Sequence, residues 1–362
     1  MQYTLPWTMS DNPNGWLEPT TRCQLACPDC YRRLDVPGHR ANDRPISELC
    51  DEVDRLIELR NVQTLTIAGG EPLIYPDLDN LIRFAVSRHL NVQVITNGIL
   101  LDEQRIRSLS AAGVTRVMIH VDRRQGRSGV GNALAVKRVR KEYCDLFRMM
   151  PDMLMGFIQP IGVDDMDDVE SLIQISKENS DVVSTVAFIR THPPLSSSGC
   201  ERLGGQELFE QVRRVYGLEY GARLDKVISD DPSWLLSMAV FSGGNFLGCL
   251  DGDIFRFVQK DYHKKMGRYL FCSSTEYSSK RLFLHILWNR SLQRVMLRYL
   301  SLRRRATLHV QRILVVNTPD NRDGTWDICR ACPDAMLHQG HLVPSCMVDF
   351  PDFGDGRDIR ME

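Results

Sequence analysis

Two hydrophobic periods alternate along the first half of this chain. Short apolar, β-branched runs suit strands at Trp16 to Thr20, Val62 to Ile67, Asn91 to Ile95, Val114 to Val121, Met153 to Gln159 and Val182 to Ile189. Between them Ser47 to Leu59, Leu78 to His89, Asp102 to Ala112, Asn132 to Met149 and Met166 to Lys177 carry apolar residues three and four apart, the mark of helices with one buried face. Gly113 suits the left-handed residue that closes the third of these. With Gln206 to Tyr216 as a sixth helix, the pattern predicts an α/β fold, a parallel sheet curled into a partial (β/α)6 barrel over residues 12–220. The alternation stops near residue 220, so 221–362 is expected to be a smaller cysteine-containing α+β region with short strands and one long helix. Thr191 to Gly205, with Pro193-Pro194 and a serine run, is the expected connection.

The chemistry concentrates in Cys23-Gln24-Leu25-Ala26-Cys27-Pro28-Asp29-Cys30, directly after the first expected strand. Three thiolates can ligate three irons of a cubane that normally takes four, leaving one iron open to a non-protein ligand; half a zinc site is the competing reading of a lone triplet. Gly69-Gly70-Glu71-Pro72, Thr96-Asn97-Gly98 and Asp122 also follow expected strands. All should therefore gather at the C-terminal mouth of the barrel, where such folds hold their sites.

In this ordered series the sequence resembles the radical S-adenosylmethionine (radical SAM) superfamily. The cysteine spacing, the GGEP segment, Thr96-Asn97-Gly98 and the Gly-x-Ile of Gly156-Phe157-Ile158 carry the resemblance. It implies that Cys23, Cys27 and Cys30 hold a 4Fe-4S cluster whose open iron takes S-adenosylmethionine. Reductive cleavage would then give a 5′-deoxyadenosyl radical that abstracts hydrogen from substrate. Cofactor contacts are implied for Gly69, Gly70, Glu71 and Pro72, for Thr96 and Asn97, for His120 and Asp122, and for Ile158. Many members place an aromatic before the third cysteine to meet adenine; here that residue is Asp29, with Tyr31 on the other side. Asp122 and His192 are the candidates for a substrate-directed base, with Asp251 and Asp253 behind them.

A second cysteine set follows: Cys249, then Gly267 and Cys272 with four residues between them, then Cys329-Arg330-Ala331-Cys332 and Cys346. It resembles the twitch and SPASM extensions of radical SAM enzymes, which implies a second, auxiliary 4Fe-4S cluster. Cys346 can replace either Cys249 or Cys272 as a ligand. A zinc site completed by His338 or His341 is the competing reading, and buried thiols acting as small hydrophobes the plainest. Cys50, Cys144 and Cys200 belong to that last kind.

Composition narrows the partners. A formal net charge of -1 argues against nucleic acid as a partner of the whole protein. Eleven cysteines, an odd number partly clustered at metal-like spacings, read as reduced thiols in a cytoplasmic enzyme rather than as disulfides. No apolar stretch approaches the ~20 residues that span a bilayer. Tyr277 to Pro319 contains no Asp or Glu, and Arg290, Arg294 and Arg298 recur at helical spacing. Such a basic amphipathic helix suits a phosphorylated metabolite, an anionic membrane surface or an acidic electron donor such as flavodoxin or ferredoxin. With the first cysteine at position 23, neither a peptide-recognition nor a cobalamin domain is expected ahead of it. The expected substrate is accordingly a small or amphiphilic anionic metabolite (a phosphorylated sugar, nucleotide or lipid intermediate). Peptide maturation is the runner-up, followed by radical methyl transfer and, remotely, a non-catalytic iron–sulfur protein.

Overall fold

The computed structural model describes residues 2–28, 30–32, 41–150, 152–163, 165–191, 203–271, 287–304, 306–322 and 324–349. The expected alternation is present: β2 (Asn14–Leu17), α1 (Ile46–Arg60), β3 (Thr64–Ile67), α2 (Leu78–Ser87), β4 (Asn91–Thr96), α3 (Glu103–Ala112), β5 (Val114–His120), α4 (Ala133–Arg148), β6 (Leu154–Ile161), α5 (Met166–Glu178), β7 (Val183–Arg190) and α6 (Gly205–Tyr216). Neighbouring strands from β2 to β7 pair parallel and in sequence order. The helices start and stop where local chemistry says they should. Asp102 and Asn132 cap α3 and α4 by accepting the N–H of Arg105 and Ala135, and Gly113 ends α3 at φ 106°. Leu65, Ile67, Val92, Val94, Val117 and Phe157 fill the core between sheet and helices.

The sheet does not end with the sixth unit. After α6 come β8 (Ala222–Asp225), β9 (Pro232–Ser242), β10 (Asn245–Leu250), α7 (Gly252–Met266), α8 (Arg290–Ser301) and β11 (Leu308–Val316). β11 lies parallel beside β7, β9 antiparallel beside β11, β8 beside β9, and the N-terminal β1 (Tyr3–Thr4) parallel beside β8. One sheet of eleven strands results, ten of them in line from β1 to β2 and β10 paired antiparallel with β9. The chain beyond 220 thus contributes strands to the barrel sheet, with the backbone of β11 paired on both edges. Two hairpins complete the described residues: β12 (Asp320–Arg322) with β13 (Thr325–Asp327), and β14 (Ala335–His338) with β15 (His341–Pro344).

The C-terminal hairpin returns to the start of the barrel. Arg60, at the end of α1 and fully buried, donates to the carbonyls of Met9 (3.2 Å), Ala335 (2.9 Å) and Cys332 (2.6 Å). Asn12 reaches the carbonyl of Ala331, and Asn14 that of Pro333. Buried donors thus find acceptors on the loop that carries the late cysteines. Sequence distance disappears here: residues near 12, 60 and 332 form one hydrogen-bonded unit.

Candidate active site

A cavity of about 210 Å³ opens where β2 to β7 and β11 end. Its walls include all three early cysteines, Cys23, Cys27 and Cys30, and three late ones, Cys329, Cys332 and Cys346.

The early cysteine loop is held between two strand ends. Gly70 N–H donates to Thr20 O and Glu71 N–H to Arg22 O, so the GGEP segment runs hydrogen-bonded along the residues before Cys23. A Cβ on Gly70 would lie 2.1 Å from Arg22 O, and one on Gly69, at φ 104°, would lie 2.7 Å from Thr20 O. Glycine is demanded by the cysteine loop itself. Cys23 Sγ accepts from Leu25 N–H at 3.4 Å and from Asn97 Nδ2 at 3.8 Å. Burial, then the neighbouring Cys30, Asp122 and Cys23, push the Cys27 thiol up to about 12. Thiolates this crowded need a cation among them, and N–H donors on sulfur are what an iron–sulfur site uses to tune its ligands. Among the described residues no three His, Cys, Asp or Glu side chains converge on a single-ion position. A cubane accepts that arrangement, since each thiolate takes a different iron. The donor set fits a 4Fe-4S cluster.

Tyr31 locks this loop to its neighbours. Its hydroxyl donates to Glu18 Oε1 at 2.8 Å and accepts Gly69 N–H at 3.0 Å, while Glu18 pairs with Arg32 at 3.0 Å. Glu18 is pushed up by burial, with Arg32, Trp16 and Tyr31 partly opposing. The Tyr31 ring stands edge-on to Trp16 and lines the cavity.

Glu71 and Pro72, expected at the cofactor, do not line the cavity. Glu71 is fully buried, and its oxygens accept from Thr96 Oγ1 (2.6 Å), Asn97 N–H (2.7 Å) and Leu73 N–H (3.0 Å). Pro72 opens the 3-10 turn that follows. Glu71 thereby ties the GGEP turn to Thr96-Asn97, and Thr96, Asn97, Gly69 and Gly70 form the wall. His120 Nε2 lies 2.5 Å from Asp122 Oδ2, and Asp122 Oδ1 accepts Arg124 and Gln125 N–H. Burial pushes Asp122 up, but His120 and those amides outweigh it and hold the carboxyl below its usual range. Both residues line the cavity, as does Ile158. His192 lies outside the described residues.

The late cysteines meet the cavity through backbone pairing. Cys329 bridges to Lys226, Arg330 N–H donates to Asp225 O, and Ser345 N–H to Asp334 O, which sets Cys346 beside Cys332. Cys332 lends a hydrogen bond to Cys329, which with Ser233 and Lys226 holds that thiol down. Cys249 does not join them. On β10 it points to the helical side of the sheet, packing against the main core near Ser237, Lys177 and Tyr216. Its pairing with Ala239 fixes that side. Cys272 lies outside the described residues. His338 and His341, the zinc candidates, pair across the exposed tip of β14–β15, away from the cavity. Asp251 is used as the cap of α7 and does not line the cavity. Burial pushes the Cys144 thiol up to about 12, as expected of a thiol used as a small hydrophobe.

The far end of the cavity went unseen in the sequence. Arg124 pairs with Asp165 at 3.0 Å, and Arg190 and Lys226 share Asp320 at 2.5 Å each. Trp234, Val316 and Thr318 complete this wall. Arg190 is the last residue of β7 and Asp165 lies in the loop after β6, a positional signal; Lys226 and Asp320 offered none. The basic helix α8 contributes no residue to the cavity.

Residues 17–152 match the model of the Radical SAM superfamily, and the chain carries a radical SAM domain. That match covers the early cysteine loop, the GGEP segment and Thr96-Asn97-Gly98, the residues that would hold a 4Fe-4S cluster and S-adenosylmethionine. The chain is 37% identical over 109 residues to a PqqA peptide cyclase of Granulibacter bethesdensis, covering 30% of this chain and 28% of that protein. It is 30% identical over 105 residues to the mycofactocin maturase MftC of Mycobacterium ulcerans, covering 29% and 28% respectively. The matched stretch thus spans under a third of either relative. Among solved structures, Streptococcus suis SuiB bound to S-adenosylmethionine aligns with 57% of this chain and 47% of its own at 15% identity and a TM-score of 0.45. Among the described residues no helix is long and apolar enough to cross a membrane.

Proposed function

We propose that this chain matures a peptide substrate by radical chemistry, with a second iron–sulfur cluster held by Cys329, Cys332 and Cys346 across the cavity from the first. One observation carries the reading: the two cysteine triads, some 300 residues apart in the chain, line one cavity. The likeness to peptide cyclases and maturases over the radical SAM domain supports a peptide rather than a small anionic metabolite. The cavity supports it too, because its cations Arg124 and Arg190 are already engaged by Asp165 and Asp320 instead of being held for a phosphate.

When bound, the cluster and S-adenosylmethionine supply a hydrogen-abstracting radical. The chain's own residues do the remainder. Cys23, Cys27 and Cys30 hold the cluster; Asn97 and Leu25 N–H orient Cys23. The Gly69-Gly70 backbone, Asn97, Asp122 and Ile158 form the wall that positions S-adenosylmethionine. His120, oriented by Asp122, is placed to take a substrate proton. Cys329, Cys332 and Cys346 would hold a second cluster able to take up the remaining electron; with one hydrogen atom abstracted and one proton passed to His120, the peptide would lose two hydrogens overall, an oxidoreductase reaction.

The test is anaerobic incubation with dithionite, S-adenosylmethionine and deuterated peptides encoded beside this gene. Loss of two hydrogens with deuterium appearing in 5′-deoxyadenosine is the expected result. Deuterium transfer from a phosphorylated metabolite instead, or formation of S-adenosylhomocysteine, would overturn it.

A further inference from the structure

We propose that the outward face of α8, with the residues leading into it, docks on an anionic lipid bilayer. The inner face of this helix is satisfied: Val295, Leu292 and Tyr299 pack against Val240, Leu247 and Ile254. Two further leucines point the other way, Leu297 at 68% and Leu300 at 52% exposure. Just before the helix, Leu287 and Trp288 stand 67% and 84% exposed. Water-facing apolar bulk of this size on one short segment marks a contact surface.

The charge identifies the occupant. Arg290 and Arg294 share the outward face, roughly 100° per residue placing them beside Leu297, and both are exposed. Arg303 and Arg304 follow directly and are exposed as well. None of these four forms an ion pair among the described residues. The partner must therefore be anionic and must accept leucine and tryptophan. A peptide helix would need a groove to lie in, whereas α8 presents a convex ridge. A bilayer surface meets such a ridge along its whole length, with arginines at the phosphates and Trp288 at the interface. No residue of α8 lines the cavity, so this surface is distinct from the active site.

The experiment is flotation of the full reconstituted chain with two vesicle types, phosphatidylcholine alone and phosphatidylcholine containing phosphatidylglycerol. The wild type should float with the anionic vesicles only, and raised salt should release it. Arg290→Gln/Arg294→Gln should lower the partition coefficient by roughly tenfold or more; Leu297→Gln/Leu300→Gln should lower it comparably. Both variants should keep the wild-type melting temperature and 5′-deoxyadenosine formation in lipid-free buffer. No flotation of the wild type, equal flotation with both vesicles, or variants that float like wild type would each overturn the proposal. So would capture of a soluble acidic peptide by this face without vesicle binding.

Discussion

Arg60→Met is the substitution that separates the two cysteine triads most sharply. Arg60 is buried, and burial pulls its guanidinium down to about 10, with the Cys332 and Asp334 side opposing. A displacement of that size corresponds to a net cost of about 3 kcal/mol for keeping the charge. Against it stand three hydrogen bonds to carbonyls, on Met9, Ala335 and Cys332. A hydrogen bond to a charged group is worth about 1.5–3 kcal/mol, so the gross gain is about 4.5–9 and the net about 2–6 kcal/mol. Methionine matches the stem but leaves three carbonyls without donors. The damage should be local, because Arg60 binds the late cysteine loop and touches no early cysteine. After anaerobic reconstitution, the variant should lose close to half its iron and keep 5′-deoxyadenosine formation, with a lowered melting temperature. Arg60→Lys should fall between, since one ammonium cannot span the same fork. Full iron content in Arg60→Met would refute the role given to this arginine.

Other outcomes follow from the same geometry. Tyr31→Phe removes the hydroxyl joining Glu18 to Gly69 N–H, and should slow 5′-deoxyadenosine formation several-fold without loss of iron; an unchanged rate would count against it. Glu71→Gln should lower the melting temperature by the loss of about 1–3 kcal/mol yet leave the KM for S-adenosylmethionine nearly unchanged; a raised KM alone would return Glu71 to the cofactor. Asp320 is pushed up by burial, but Lys226 and Arg190 outweigh this and hold it below its ordinary value. A depressed carboxylate lends stability above its unfolded pKa of about 3.9 and loses it as pH falls through the folded value. Asp320→Asn should therefore destabilise the protein at neutral pH and flatten the acid limb below about pH 4 in chemical denaturation; an unchanged limb would contradict the pairing. Cys249→Ser should leave iron content intact, and loss of iron would restore it as a ligand.

Much of the barrel was legible because its signal is local. Period-two strands and three-four helices from Trp16 to Tyr216 appear with ends shifted by a few residues at most, and Gly113 closes α3 as its type requires. The motif loops reach the cavity for the same reason: a residue just after a parallel strand is at the mouth whatever the details. What could not be read depended on contacts distant in sequence. β11 joins the sheet between β7 and β9, a choice invisible in its own residues. Glu71 carries the motif but spends its oxygens on Thr96, Asn97 and Leu73. Cys249 and Cys346 are both cysteines at plausible spacing, and only strand register separates them. Arg60 reads as an ordinary basic residue at a helix end; two of its three partners lie about 270 residues away.

The central claim is that one cavity serves a radical SAM cluster and a second cluster on the late cysteines. Iron and sulfide per chain, measured with 5′-deoxyadenosine formation for wild type and Cys329→Ala/Cys332→Ala after anaerobic reconstitution, test it most directly. The account predicts about eight irons in wild type and about four in the variant, as the ligand arithmetic requires, with 5′-deoxyadenosine formed by both. About four irons in each would remove the second cluster, and failure of both proteins to form 5′-deoxyadenosine would contradict the account at its base.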